Sequence, residues 1–113
     1  MLEVLNIQQA LSFLGGEKEL LSELLNAFVN TNPFEEEKLL LLEKENKIEA
    51  AKYVHYYKGA ARQIGAERLA KTGQALEDEL RGRTNTDLEI LTQSFLSTYR
   101  EAQEAVKEAL EIL

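Results

Sequence analysis

The stretch "KIEAAKYVHYYKGAARQIGAERLAKTGQALEDELRG", residues 47–82, holds two helix-length runs parted by a single glycine. The spacing predicts one helix over Lys47–Ile64, stopped by Gly65, and another over Ala66–Arg81, stopped by Gly82. On the first, Ala50, Val54, Tyr57, Ala61 and Ile64 share a core-facing side. So short a connection makes the two helices antiparallel neighbours.

Working outward, the pattern stays helical. Ala, Leu, Glu and Lys are abundant and β-branched residues are sparse. Asn6 is placed to cap a short helix over Ile7–Leu14, which Gly15-Gly16 ends. A second runs from Glu17 to Thr31, with Leu20, Leu21, Leu24, Leu25 and Phe28 as its apolar stripe. Asn32-Pro33 breaks it and opens a third, with proline in the first turn and Glu35, Glu36 and Glu37 beside the positive end of the helix dipole, running to Asn46. The last helix spans Asp87–Ile112, with Leu88, Leu91, Phe95, Leu96, Tyr99, Ala102, Val106, Ala109 and Leu110 on one face. The expected fold is all-α: an antiparallel up-down four-helix bundle with two additional short N-terminal helices, residues 1–113 forming one domain.

Composition removes several function classes. The 113 residues contain no cysteine, so disulfides and thiolate metal sites are excluded. No apolar run approaches the roughly 20 residues of a membrane span. The start lacks the basic-then-apolar order of a signal peptide, and a soluble, cytoplasmic, monomeric protein is expected. A net charge of −7 argues against nucleic acid as a partner. Between Ala50 and Leu76, however, Lys52, Lys58, Arg62, Arg68 and Lys71 face a single acid, Glu67.

That basic window holds the only histidine, His55. With about 100° per residue, Arg62, Gly59, Lys58, Ala51 and Lys52 all fall within about 60° of it, on the flank rather than the core side. A lone helical histidine is most often an incidental surface or core-edge residue. A metal site would need further ligands, and none of the histidine or cysteine kind exists. No G-x-S-x-G elbow is present for a hydrolase. The chemistry open to a single imidazole is nucleophilic attack by its neutral nitrogen. Attack on a phosphoryl group would need cations, which Lys58 and Arg62 supply, and free space. Gly59 costs about 1 kcal/mol inside a helix and removes the side chain that would block an approaching partner. On this reading Lys58 is an exposed charge with no acid nearby, and its loss would change stability by no more than about 0.5 kcal/mol.

The H-x-x-K-G of His55, Lys58 and Gly59, followed by Ile64-Gly65-Ala66, Leu69 and the Leu76-Glu77 pair, resembles the histidine-containing phosphotransfer (HPt) domains of two-component phosphorelays. Leu14–Phe28 resembles their N-terminal helices, and the likeness spans about residues 5–110. It implies a carrier whose histidine takes a phosphoryl group from a receiver-domain aspartyl phosphate and passes it to another receiver aspartate. His55 is then the phosphoacceptor, Lys58 the phosphate-neutralising residue and Gly59 the steric gap. No cofactor or metal is implied on the chain itself: magnesium belongs to the receiver, and nothing resembles a kinase loop or P-loop. Partners are receiver domains or a hybrid histidine kinase.

In the family a Gln or Glu hydrogen-bonds the histidine. His55 lies ten residues before Gly65 and Glu77 twelve after, so they stand at about the same level. Glu77 otherwise pairs with Arg81 at i+4, and Gln74, one turn earlier, is the substitute for the histidine contact. A receiver is expected to dock on Ala51, Gly59 and Ala60, with Phe13 or Leu14 beside them and Lys52, Arg62 and Gln63 at the rim. Two other roles share the motif: a non-catalytic adaptor or scaffold, and the phosphotransfer module of a chemotaxis-type kinase.

Overall fold

The computed structural model describes residues 2–113, and all regular structure among them is helical. The elements are α1 (Ile7–Phe13), α2 (Lys18–Asn26) continued by a π-helical turn (Ala27–Thr31), α3 (Glu36–Glu45), α4 (Lys47–Gln63), α5 (Glu67–Leu80) and α6 (Leu88–Ile112). Side-chain caps start three of them, the first at the Asn6 the sequence places there. Asn6 accepts from the Gln9 amide, Asn46 from Glu49 and Asp87 from Ile90.

The last four helices close into an antiparallel ring, as their cross-links show. Between α3 and α6, Arg100 binds Glu36 in bidentate fashion at 2.6 and 3.0 Å, while Thr92 donates to Glu43 at 2.7 Å. A step forward on one helix is a step back on the other. The same holds between α4 and α5, where 55 meets 77 and 58 meets 74. It holds again between α5 and α6, where 68 meets 101 and 72 meets 98. The ends of α3 and α4 are joined through Asn46, which caps α4 directly after closing α3. The core inside this ring is Leu39, Ala50, Val54, Tyr57, Ala61, Ile64, Leu69, Leu76, Phe95, Leu96, Tyr99, Ala102 and Val106, all buried. These include the core side expected for α4.

Two departures from expectation share one cause. The Glu17–Thr31 helix widens into a π turn over its last five residues, and Pro33 does not start α3, which begins three residues later. The intervening segment is held by tyrosines from α4. Tyr57 shares its hydroxyl between the carbonyls of Asn32 and Pro33, Tyr53 accepts from the Glu35 amide, and Asn32 donates to the Tyr56 hydroxyl at 2.9 Å. Phe34 is thereby driven into the core, with ring centroids 4.6 Å from Tyr99 and 5.2 Å from Tyr57. Burying that ring and satisfying three backbone groups outweighs proline's preference for a helical first turn.

The N-terminal segment is pinned across the α4–α5 turn. The Asn6 amide donates to the Gly65 carbonyl at 2.7 Å, the Asn6 side chain donates to Glu67, and Arg68 donates to the carbonyls of Leu2 and Glu3. Gly65 has φ +79°, and a Cβ there would run into the Asn6 carbonyl. Both faults fall on one residue at the bend that sets the α4–α5 register. Gly65→Ala is therefore expected to lower unfolding stability by about 2–3 kcal/mol, read as a reduced urea midpoint at unchanged slope.

Candidate functional site

The antiparallel register of α4 and α5 brings His55, Lys58, Gln74 and Glu77 to one level. Glu77 is 3 % exposed, and burial alone would raise its pKa. Three donors reverse that. Lys58 Nζ lies 2.7 Å from Oε1, Arg81 Nε 2.8 Å from Oε2, and His55 Nδ1 3.1 Å from both oxygens. Hydrogen bonds from Lys58, Arg81 and His55 outweigh the burial and hold the carboxyl at about 2 against an ordinary 4.5. Glu77 is thus ionised at neutral pH and can only accept. Its neighbour on the imidazole must then be Nδ1–H, and the neutral ring carries its lone pair on Nε2.

That side chain is 62 % exposed, so the ring is held at its inner nitrogen and open at its outer one. Over it lies a shallow recess of about 300 Å³, lined by His55, Tyr56, Gly59, Ala60 and Gln63. A Cβ built on Gly59 would meet nothing within 4 Å, so this glycine faces open space. Both partners weighed for Glu77 are present at once: the histidine, and Arg81 one turn on. Gln74 does not touch His55. It accepts from Lys58 at 2.9 Å and Arg62 at 3.3 Å, and donates to Asp78.

Two expectations need correction. Lys58 is not an exposed cation without an acid nearby. It is 4 % exposed, and its ammonium is held by Glu77 and Gln74. Ala51, placed at the centre of the docking patch, is 0 % exposed and presents no surface. The two residues lie seven apart, on a stripe of α4 that turns toward α5. From α4 alone that stripe reads as flank, and only the packed neighbour makes it interior. The remaining patch residues are accessible. Phe13 is 68 % exposed, Lys52, Arg62 and Gln63 are exposed, and Leu14, Gly59 and Ala60 are half-buried. Lys52 pairs with Glu49 at 3.3 Å.

Sequence reasoning missed Tyr56, an exposed aromatic next to His55 that forms one wall of its recess. It also missed Gly73, a second mid-helix glycine, which lies inside against Lys58. The signal for Gly73 was available: it is eight residues after Gly65, and Lys58 is seven before.

Because Lys58 neutralises a buried carboxylate, Lys58→Ala should cost about 2 kcal/mol or more in chemical denaturation, against less than about 0.5 kcal/mol for exposed Arg62→Ala. The pH dependence has a definite sign. Glu77 has a depressed folded-state pKa, so its contribution is complete above about 4.5 and is lost as pH falls toward about 2. Acid titration of stability should show that loss in the parent and a smaller one in Glu77→Gln.

No curated protein and no solved structure matches the chain. The family model of the Hpt domain matches residues 5–111, nearly the full length. Members of this family act in two-component signalling, with receiver domains and histidine kinases as partners. No helix among the described residues is long and apolar enough to cross a membrane. A helical bundle with H-x-x-K-G on α4 and a family match over almost every residue lead to one assignment: the chain belongs to the Hpt domain family, the phosphotransfer domains of two-component signalling.

Proposed function

We propose that the chain is a phosphorelay intermediate that accepts a phosphoryl group on His55 from a receiver aspartyl phosphate and returns it to another receiver aspartate. The observation that carries this reading is the imidazole anchored through Nδ1 to ionised Glu77, with Nε2 facing outward beside the bare surface of Gly59. In the forward step the Nε2 lone pair attacks phosphorus. The bond from phosphorus to the aspartyl oxygen breaks, and the electron pair leaves with the receiver carboxylate. Nδ1 keeps its proton throughout, and Glu77 offsets the positive charge that develops on the ring, as the carboxylate does in a hydrolase triad. The reverse step follows the same path.

Roles around His55 divide accordingly. Glu77 orients the ring and fixes its tautomer. Lys58 acts through Glu77 in this state, since its ammonium is committed to that carboxylate and Gln74. Arg62, exposed and bonded only weakly through Gln74, is the cation positioned to meet a phosphoryl group. The docking surface is Tyr56, Gly59 and Ala60 around the recess, with Lys52, Arg62 and Gln63 at the rim and Phe13 and Leu14 beyond. The intact nucleophile, its ionised partner and the open approach favour transfer over an adaptor role, which would need none of them.

Two variants test this. His55→Gln should fold like the parent by circular dichroism, because the side chain lies outside the core, yet take no label from a phosphorylated receiver. Label retained on this variant, acid-stable label above all, would refute the assignment. Gly59→Leu should be at least as stable as the parent, since leucine favours helix by up to about 1 kcal/mol. Its bulk should nonetheless slow transfer from a receiver by at least about tenfold. Transfer at the parental rate would show that this face is not the approach.

A further inference from the structure

Two glycines interrupt long helices of the bundle without adopting a positive φ, so neither is there for its backbone conformation. Each costs local helix stability. Gly59 faces outward and a Cβ there meets nothing. Gly73 is the opposite case. A Cβ there would sit 3.1 Å from Lys58 Cβ, 3.3 Å from Lys58 Cγ and 3.2 Å from Phe95 Cε1. Those separations are well inside ordinary carbon–carbon contact. Phe95 is 0 % exposed and packed against Phe34 and Tyr99, so it has no room to recede. Lys58 would have to give by a few tenths of an ångström, and because its Cβ is fixed to the backbone, α4 would shift with it at that level.

We propose that Gly73 is a positioning residue for His55. The missing side chain lets the Lys58 stem lie flat against α5, and that placement delivers the ammonium to Glu77 and Gln74. Oε1 of Glu77 is shared between Lys58 at 2.7 Å and His55 Nδ1 at 3.1 Å. Displacing the lysine therefore releases the carboxylate toward Arg81, which holds its other oxygen at 2.8 Å. The imidazole, which lies 3.1 Å from both carboxylate oxygens, is then left to share Oε2 with Arg81, and its hold on one tautomer weakens. The chain of contact runs Gly73, Lys58, Glu77, His55, from the bundle interior to the surface. The catalytic consequence rests on the reading of His55 as phosphoryl acceptor; the structural consequence does not.

The single histidine makes the test direct, because its imidazole nitrogens are the only ones in the spectrum. In the 15N-labelled parent at neutral pH, Nδ1 should appear protonated and Nε2 bare. Gly73→Ala, confirmed as folded by circular dichroism, should move the equilibrium toward the Nε2–H form. Labelling by phosphoramidate, a small donor that needs no docking surface, should slow about fivefold. Lys58→Met keeps the stem and removes the charge; it should show the same tautomer change, and it decides the matter if Gly73→Ala does not fold. A parental tautomer in either folded variant overturns the proposal, as does slower labelling with an unchanged tautomer. If the parent itself takes no label, the phosphoacceptor reading fails, while the tautomer comparison still decides the role of Gly73.

Discussion

A carboxylate enclosed between two helices remains ionised only if donors fill its lone pairs, and the site of this protein follows from how Glu77 meets that condition. Lys58 comes from the facing helix, Arg81 from one turn further along its own, and His55 from the facing helix at the protein surface. The lysine and the carboxylate satisfy each other, so neither is left as an uncompensated buried charge. The imidazole completes the set from outside. One ion pair therefore joins α4 to α5 and also fixes the imidazole that faces solvent. This couples the site to the bundle. Whatever disturbs the α4–α5 register, whether at Gly65 or at Gly73, reaches the imidazole through the same oxygen atoms.

Three of the five cations of the basic cluster conspicuous in the sequence have taken structural tasks. Lys58 neutralises Glu77. Arg68 holds the carbonyl of Leu2 and pairs with Glu101 across to α6. Lys52 pairs with Glu49 one turn back. Counting charges along the chain predicts an electropositive surface around His55. Tracing their partners leaves Arg62 as the cation beside the ring whose one side-chain bond among the described residues is a long one to an amide oxygen. Proximity in sequence measures how much charge is present, whereas availability depends on which acids and carbonyls the fold brings opposite.

The same distinction decides what could be read in advance. Helix spans on α4, α5 and α6 and the stop at Gly65 are local features, and apolar periodicity with glycine placement reveals them. Similar distance to the turn set 55 and 77 at one level, while the contact between them was implied by the family resemblance, with Gln74 as its alternative. The π turn and the late start of α3 were hidden because their cause lies in Tyr53, Tyr56 and Tyr57, some twenty residues away. The burial of Ala51 and Lys58 was hidden for a related reason. Angular position on one helix ranks residues by distance from its core stripe, but a second helix packed on the flank creates another interior there. Gly73 marks that interior, and its meaning appears only when Lys58 is placed beside it.

A carrier faces a requirement that an ordinary catalyst does not. If the site bound the phosphoryl group through several strong cation contacts, the group would be taken readily and surrendered slowly, because stabilising the intermediate deepens the well from which the second transfer must climb. The arrangement around His55 is of the other kind. Its strongest charge interactions are directed inward, at the carboxylate that orients the ring, and the outer nitrogen lies beside glycine, alanine and glutamine. Such a site contributes geometry and a defined lone pair and leaves most of the phosphoryl charge to be stabilised by the partner. On the phosphorelay reading, that balance suits a residue that must be both acceptor and donor, and it explains why a lysine one turn from the nucleophile is locked away from the group it would otherwise retain.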